Sequence, residues 1–196
     1  LKTPLAASDF SLKLLEDARV SNLSDEQKQL VHNLKENNQR MLRILSELLN
    51  MSQVEAGKIQ LNIQNVNPYK VVDDSIQAII TSAKEKDIQI EKKIEDGLTE
   101  FKADTDKISW VLTNFLTNAI RYSPPKGIVT VEVKKAEKYL VFSVSDNGIG
   151  IEEGYLNKIF ERYFQIPGRS DKKGSGIGLA ICKEFVEAMN GNIWVH

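Results

Sequence analysis

The hydrophobic spacing in the first part of the chain predicts two helices. Apolar residues recur at helical intervals over residues 1–17. A second helix is predicted to begin after Ser24, because Ser24 and Gln27 have the spacing of a capping box. It is predicted to end at about Ala56, since Gly57 suits the position after a helix end. Along this helix, apolar residues at heptad spacing fill one stripe: Leu34, Met41 and Leu48, with Leu30, Ile44, Leu45 and Met51.

The two helices are predicted to form an antiparallel hairpin over residues 1–57. A single hairpin of this kind has too little core to fold alone. We therefore expect two copies to pair into a four-helix bundle, which would make the protein a homodimer through this region. The alternative is a helical pair that packs on its own second domain.

Beyond Gly57 the pattern changes to short strands and helices. Ile59, Leu61 and Ile63 alternate with polar residues, as in a strand. Asn67 followed by Pro68 is typical of a helix start. This order predicts an α/β sandwich over residues 58–196, with helices on one face of a sheet. The later elements are predicted as helices at 68–86, 105–121, within 156–164 and at 177–189, and as strands at 88–94, 99–103, 128–134, 139–145 and 192–195. The strands at 128–134 and 139–145 are predicted to pair antiparallel around the charged turn 135–138.

Composition and charge exclude several classes of protein. Lys and Arg number 26 and Asp and Glu 27, so no basic field indicates nucleic acid or an acidic membrane as a partner. Hydrophobic residues make up 41%, enough for a packed core, and no apolar run approaches the roughly 20 residues that span a bilayer. The first residues resemble neither a signal peptide nor a start methionine. We therefore expect the chain to be part of a longer protein and to lie in the cytoplasm. The single cysteine, Cys182, fits a reducing cytoplasm.

The predicted helix over residues 105–121 has a polar face suited to a nucleotide. Asn114, Asn118 and Arg121 share that face by their spacing, and Tyr122 follows directly. Amide oxygens can bind Mg²⁺, a guanidinium can contact phosphate, and an aromatic ring can lie against a base. A solvated polar face is the alternative. The apolar stripe is predicted on another face of the helix, at Ile108, Val111, Leu112, Phe115 and Ala119.

Two glycine-containing segments are also suited to a nucleotide. In residues 146–150, the Asp146 carboxylate follows a strand and can accept a hydrogen bond from the exocyclic amine of adenine. The two glycines of this segment let the backbone approach the ring. An ordinary Asp-Asn-Gly turn is the alternative. Residues 174–179 directly precede a helix, whose first N–H groups attract phosphate, although a flexible linker is the alternative. Neither a P-loop nor a dinucleotide fingerprint fits this second segment.

The order and spacing of these segments resembles bacterial two-component sensor histidine kinases. Residues 1–5 resemble the end of that family's His-Glu-Leu-Lys-Thr-Pro-Leu box. The family's N, G1, F and G2 boxes correspond to residues 114–123, 146–150, 160–164 and 174–179. The resemblance implies a HisKA-type dimerisation and phosphotransfer hairpin over residues 1–57. It implies a Bergerat-type (GHKL) catalytic domain that binds ATP over residues 58–196.

The resemblance also implies roles for individual residues. Asn118 would bind Mg²⁺ with Asn114 beside it, Arg121 would contact phosphate, and Tyr122 would lie against the adenine. Asp146 would bind the adenine amine. A mobile lid would be anchored by two aromatic residues, Phe160 and Phe164. The pocket floor and the end of the lid would contact ATP through Gly148, Gly150, Lys173, Gly174, Gly176, Gly178 and Leu179.

For the whole protein, the resemblance implies autophosphorylation of a histidine and transfer of the phosphoryl group to a response-regulator receiver domain. The acceptor histidine is expected two residues before Leu1, and Asn114 would take part in catalysis. Thr3 matches a position that serves phosphatase activity. The parent protein is expected to be anchored in the bacterial inner membrane by segments upstream. Two alternatives remain open: a hydrolytic ATPase, whose class carries a glutamate where this chain has Asn114, and an ATP-binding dimeric scaffold or pseudokinase.

Overall fold

The computed structural model describes residues 2–16, 22–57, 59–168 and 174–196. They fall into a helical unit, Leu1–Gly57, and a unit of mixed helices and strands, Lys58–His196. The predicted fold class, a helical region followed by an α/β domain, is confirmed. Within the described residues, no helix is both long and apolar enough to cross a membrane.

Two helices, α1 (Lys2–Glu16) and α2 (Asp25–Glu55), pack together in the helical unit. The predicted capping box is confirmed, because Gln27 N donates to Ser24 Oγ (3.2 Å) and Ser24 N donates to Gln27 Oε1 (2.9 Å). Farther along, the buried Asn38 side chain donates to Leu5 O (2.9 Å) and connects α2 to α1. Gly57 follows the end of α2 with a left-handed φ of 60°, as the sequence predicts.

Most of the predicted heptad stripe of α2 is exposed in the single chain. Five of its side chains have 40–61% of their surface exposed, namely Leu30, Leu34, Met41, Ile44 and Leu48. Met51, which the spacing assigns to the same stripe, is instead buried. A row of exposed apolar side chains is characteristic of a surface that a partner covers.

Unit 58–196 contains the remaining helices and strands. Its described elements are β1 (Ile63–Val66), α3 (Pro68–Glu85), β2 (Gln89–Ile94), β3 (Phe101–Asp104), α4 (Thr105–Tyr122), β4 (Ile128–Ala136), β5 (Tyr139–Asp146), α5 (Glu153–Leu156) and α6 (Gly178–Ala188). Strands β1 and β3 pair antiparallel. Strand β4 lies between β2, to which it is parallel, and β5, to which it is antiparallel. The predicted β4–β5 hairpin is therefore confirmed.

Helices α3 and α4 pack on β4 to form the core of this unit. Val129, Val131 and Val133 of β4 are fully buried, while the residues between them are more exposed, so one face of the strand points into the core. Leu112 and Leu116 of α4 join the same cluster. Helix α4 also contacts α3, β5 and α6, which makes it the central helix of the unit.

Local signals place the ends of α3 and α4. Asn67 caps α3 by accepting hydrogen bonds from Tyr69 N and Lys70 N, with Pro68 in the first turn, as predicted. The buried Asp104 caps α4 through Lys107 N (3.0 Å) and also accepts from Asn62 N (2.8 Å). The carboxylate therefore connects the chain before β1 to the start of α4.

Four predictions at the level of single elements are wrong. The first strand begins at Ile63, because Ile63 is the first residue that pairs with β3. The helix expected within 156–164 is replaced by the single turn α5 and by turns after it, and Tyr163 has a left-handed φ of 63° that a helix does not allow. Residues 192–195 form no strand within the described residues. In α4, Phe115 is half-buried, and Leu116 is fully buried in its place.

Candidate functional site

The predicted amide pair lies on the half-buried side of α4. Asn118 Nδ2 is 3.5 Å from Asn114 Oδ1, which is at the outer limit of a hydrogen bond. Within the described residues, the Asn118 amide oxygen accepts no hydrogen bond. The pair therefore presents amide oxygens that a cation or a ligand can still engage.

The first of three glycine contacts joins the start of α6 to Asn114. A Cβ built on Gly178 would lie 2.9 Å from both Oδ1 and Nδ2 of Asn114, so a larger residue would displace the amide. No side chain caps the α6 start within the described residues, and Ser175 Oγ accepts from Ile177 N (3.2 Å) just before it. The N–H groups of the first α6 turn are thus left beside Asn114, where they can bind an anion.

The second contact joins Gly174 to Arg121, near the end of α4. A Cβ on Gly174 would lie 3.2 Å from Arg121 Nη1. The Gln165 side chain donates to Gly174 O (2.8 Å) and holds this backbone in place. A guanidinium is therefore positioned beside the segment that leads to the α6 start.

The third contact joins Gly148 to Tyr122, the last residue of α4. A Cβ on Gly148 would lie 2.6 Å from both Tyr122 O and Asp146 Oδ1, which is closer than a carbon can approach. Gly148 N donates to Asp146 Oδ1 (2.8 Å), so the exposed carboxylate at the end of β5 has a fixed orientation. Within the described residues, its second oxygen accepts no hydrogen bond and can take a donor from a ligand.

These contacts bring two separate segments of the sequence to one helix. The segments 146–150 and 174–179 both reach the side of α4 that carries Asn114, Arg121 and Tyr122. An anion site, a cation and an oriented carboxylate then lie along about two turns of helix. Such an arrangement can hold a ligand with a polyanionic end and a hydrogen-bond donor at its other end.

The predicted aromatic anchors lie in a segment that contacts the α6 start. Tyr163 N donates to Gly176 O (2.8 Å), and a Cβ on Gly176 would lie 2.8 Å from the Tyr163 carbonyl carbon. Gly176 has a φ of 73°, a left-handed conformation that favours glycine. The ring centroids of Phe164 and Tyr155 are 5.9 Å apart. Phe160, four residues earlier in the chain, is half-buried.

Two predicted site residues, Lys173 and Thr3, are placed only partly or lie outside the described residues, whereas Gly150 and Leu179 are described. Lys173 belongs to residues 169–173, which the structure does not describe. Thr3 lies in α1, but its side chain is not described. Gly150 is exposed and has a left-handed φ of 64°, and a Cβ there would meet no atom within 4 Å. Leu179 is half-buried in the first turn of α6.

Two residues that hold the glycine segments in place, Asn147 and Gln165, are not among those predicted from the sequence. Asn147 Oδ1 accepts from Ile128 N (3.0 Å) and ties the segment 146–150 to the start of β4. An Asn before Gly is a signal for such a turn, but its partner lies 19 positions away. Gln165 carries no local signal, because its acceptor, Gly174 O, lies nine positions along the chain.

Separate ranges of the chain match two families. Residues 1–57 match the family described as "His Kinase A (phospho-acceptor) domain". Residues 103–196 match the family described as "Histidine kinase-, DNA gyrase B-, and HSP90-like ATPase". The chain belongs to the two-component sensor histidine kinase family. The resemblance drawn from the sequence boxes is confirmed.

Curated relatives of this sensor histidine kinase chain match along its full length. Sensor histidine kinase WalK of Bacillus subtilis is 33% identical over 201 residues, which cover 99% of this chain and 32% of WalK. Adaptive-response sensory kinase SasA of Gloeothece citriformis is 30% identical over 100% of this chain and 51% of SasA. The chain thus spans from about a third to about half of the length of these relatives.

Solved structures of histidine kinases share the fold. Full-length ShkA in complex with AMPPNP matches with a TM-score of 0.76 at 27% identity, over 100% of this chain and 40% of ShkA. Histidine kinase AdeS of Acinetobacter baumannii matches with a TM-score of 0.64 at 21% identity, over 95% of this chain and 84% of AdeS. The second likeness supports the fold alone.

The Gly148 contact predicts a specific cost for an added methyl group. Gly148→Ala is expected to lower the unfolding free energy of unit 58–196 by about 1–3 kcal/mol, as overpacking does. Both tryptophans, Trp110 and Trp194, lie in this unit, so their fluorescence in a urea titration reports on it. Gly154→Ala is the matched control, because a Cβ there meets no atom within 4 Å. Equal stabilities of the two variants would contradict the close approach of Gly148 to Tyr122.

Proposed function

We propose that this chain is the dimerisation and catalytic core of a sensor histidine kinase. In the whole protein it would bind Mg-ATP and phosphorylate a histidine two residues before Leu1. The phosphoryl group would then pass to an aspartate of a response-regulator receiver domain. The chain would act in the cytoplasm, and segments outside it would carry the sensor and an anchor in the bacterial inner membrane.

The convergence of both glycine segments on α4 is the observation that carries this proposal. Gly178 meets Asn114, Gly174 meets Arg121, and Gly148 meets Tyr122. A polar helix face that only faced solvent would not require glycine backbone to pack against it at three points. The family match over residues 103–196 to ATPases supports ATP as the ligand.

Asp146 defines the proposed adenine end of the site. Its exposed carboxylate is oriented by a hydrogen bond from Gly148 N and can accept a second hydrogen bond from the exocyclic amine of adenine. Tyr122 would lie against the ring, while Gly148 and Gly150 would form the floor on which the ring rests. At the position of the adenine amine, guanine carries a carbonyl oxygen, which a carboxylate would repel.

The α6 start and Arg121 define the proposed phosphate end. Arg121 would contact a phosphate oxygen, and the first N–H groups of α6 add a partial positive charge. Gly174, Gly176 and Gly178 would let the backbone approach the phosphates closely. Further contacts to ATP are proposed from Lys173 and Leu179, and the aromatic anchors of the segment over the phosphates would be Phe160 and Phe164.

The amide pair fits a magnesium ion that is held mainly by the nucleotide. Mg²⁺ prefers oxygen ligands and commonly uses one or two protein groups together with phosphates and water. The Asn118 amide oxygen, which accepts no hydrogen bond within the described residues, can be such a ligand, with Asn114 3.5 Å away. When bound, Mg²⁺ would supply charge neutralisation to the phosphates.

The same amides argue for transfer rather than hydrolysis. An amide cannot take a proton from water, so Asn114 cannot serve as the general base that a hydrolytic ATPase of this pocket class needs. The proposed role of Asn114 is to orient the nucleotide through its contact with Gly178. Proximity to the acceptor histidine and charge neutralisation would then provide most of the rate increase.

The helical unit is proposed to form the dimer and to dock the response regulator. The exposed stripe of α2, defined by Leu30, Leu34, Met41, Ile44 and Leu48, would pack against its copy in a second chain. The receiver domain would dock near the start of α1. There Thr3 is the proposed residue for a phosphatase activity toward the same regulator.

Asp146→Asn is expected to weaken Mg-ATP binding by at least about tenfold, since hydrogen bonds to charged groups contribute about 1.5–3 kcal/mol. The change keeps an oxygen for Gly148 N but replaces the other oxygen by a donor that opposes the adenine amine. Isothermal titration calorimetry of the chain with the non-hydrolysable analogue AMPPNP and Mg²⁺ measures the effect.

Asp74→Asn is the matched control, because it removes the same charge from an exposed position on α3, outside the proposed site. It should bind as the wild-type chain does. Equal affinities of the Asp146 and Asp74 variants would remove Asp146 from the site. Absence of binding by the wild-type chain would refute the ATP site as a whole.

Met41→Arg is expected to convert the proposed dimer to a monomer. A charge at a half-exposed position in the middle of the α2 stripe would be buried without a partner in the bundle. Light scattering after size exclusion gives the mass directly. Gln39→Arg adds the same charge two residues away, about 160° around the helix, and should leave the dimer intact. A Met41→Arg chain that stays dimeric would contradict the stripe as the interface.

A further inference from the structure

Lys86 reaches from the end of α3 to the end of α4. Its half-buried side chain donates to Ile120 O (2.9 Å) and to Arg121 O (2.7 Å), across 34 and 35 positions of sequence. Both are short bonds from a charged donor, which are stronger than neutral ones. The contact joins two helices through backbone atoms rather than through side chains.

These acceptors belong to the last turn of α4, where a helix leaves its carbonyls without partners. Ala119 O is bonded by Ser123 N (2.9 Å), and the next two carbonyls are those that Lys86 bonds. The ammonium group also places a positive charge at the negative end of the helix dipole. Lys86 therefore completes the end of α4 in both hydrogen bonding and charge.

The capped turn carries two residues of the proposed nucleotide site. Arg121 is bonded directly through its carbonyl, and its guanidinium lies beside Gly174. Tyr122 follows, and its carbonyl is the surface on which Gly148 packs. A shift in this turn would thus move the phosphate contact and the adenine contact together.

Lys86 is itself held in place on both sides. Its N–H donates to Ala83 O (3.3 Å) at the end of α3, the next N–H, of Asp87, donates to Lys84 O (3.1 Å), and the Lys86 carbonyl accepts from Lys126 N (3.4 Å). Asp87 follows with a left-handed φ of 56°, which turns the chain directly into β2. The lysine therefore extends from a fixed backbone, so that its position is transmitted to α4.

We infer that Lys86 is a positioning residue for the nucleotide site, acting through the last turn of α4 on Arg121 and Tyr122. The inference rests on the proposed ATP-binding function, and it assigns to this site a residue at the end of α3 that would not touch the ligand itself. Lys86 would affect the affinity for ATP through an energetic coupling between its own position and the ligand site at the end of α4, both in unit 58–196.

Calorimetry with Mg²⁺ and AMPPNP on the whole 196-residue chain tests the inference. Lys86→Met removes the charge and the donors but keeps the aliphatic stem, and it is expected to weaken binding by about fivefold or more. Lys86→Arg keeps the charge and should restore part of the affinity. Lys84→Met, an exposed lysine two residues away, is the matched control and should bind as the wild type does.

A double variant separates positioning from a general loss of stability. Each chain is first shown to be folded under the titration conditions by its tryptophan fluorescence. In an Arg121→Ala background, Lys86→Met is expected to cost less affinity than in the wild type, because one of its routes to the ligand is gone. A purely structural role would lower the unfolding midpoint and leave the affinity of the folded chain unchanged.

The outcomes distinguish this inference from the function on which it rests. If the wild-type chain does not bind the nucleotide, the proposed function fails and the inference falls with it. If the wild type binds and folded Lys86→Met binds equally well, only the role of Lys86 is overturned. The role of Lys86 would also be overturned if Lys86→Met weakened binding as much in the Arg121→Ala background as in the wild type.

Discussion

The close approach of glycine backbone to α4 is the constraint on which the site depends. At Gly148, Gly174 and Gly178, a Cβ would lie only 2.6–3.2 Å from atoms of the site or of α4. At two of these positions, Gly148 and Gly178, no side chain larger than hydrogen fits without movement. Because the contacts fall on Asn114, Arg121 and Tyr122, they place the segment after β5 and the start of α6 along one side of one helix.

Helix α4 can serve in this way because its other faces and both of its ends are fixed. Leu112 and Leu116 bury its inner side against the core that contains β4. Asp104 caps its start, and Lys86 bonds the carbonyls of its last turn. A polar face on a helix held this firmly keeps its geometry before any ligand binds, which lowers the entropic cost of binding.

Local sequence signals predict most elements of this fold but only one of their pairings, the β4–β5 hairpin. The capping box at Ser24 and the Asn67–Pro68 start involve residues within three positions of each other, so spacing alone reveals them. The first strand was misplaced because its start depends on β3: Ile63 pairs with Asp104, and Ile59 and Leu61 lie before that register. Likewise, the turn at Tyr163 follows from its bond to Gly176, far along the chain.

The candidate site shows the same limit. Asn114, Asn118, Asp146 and the glycines were identifiable from residue type, order and resemblance. Which glycine meets which α4 residue is a tertiary fact that no local pattern contains. Lys86 is the clearest case, because a lysine at a helix end is ordinary until its acceptors, 34 and 35 positions away, are known.

The central claim is that three separate segments form one nucleotide site on α4. The most direct measurement is a map of backbone amide NMR shifts in the chain on titration with Mg²⁺ and AMPPNP. The account predicts that residues 114–123, 146–150 and 174–179 shift together, with one common saturation curve. Shifts confined to one of these segments, or segments that saturate at different concentrations, would contradict it.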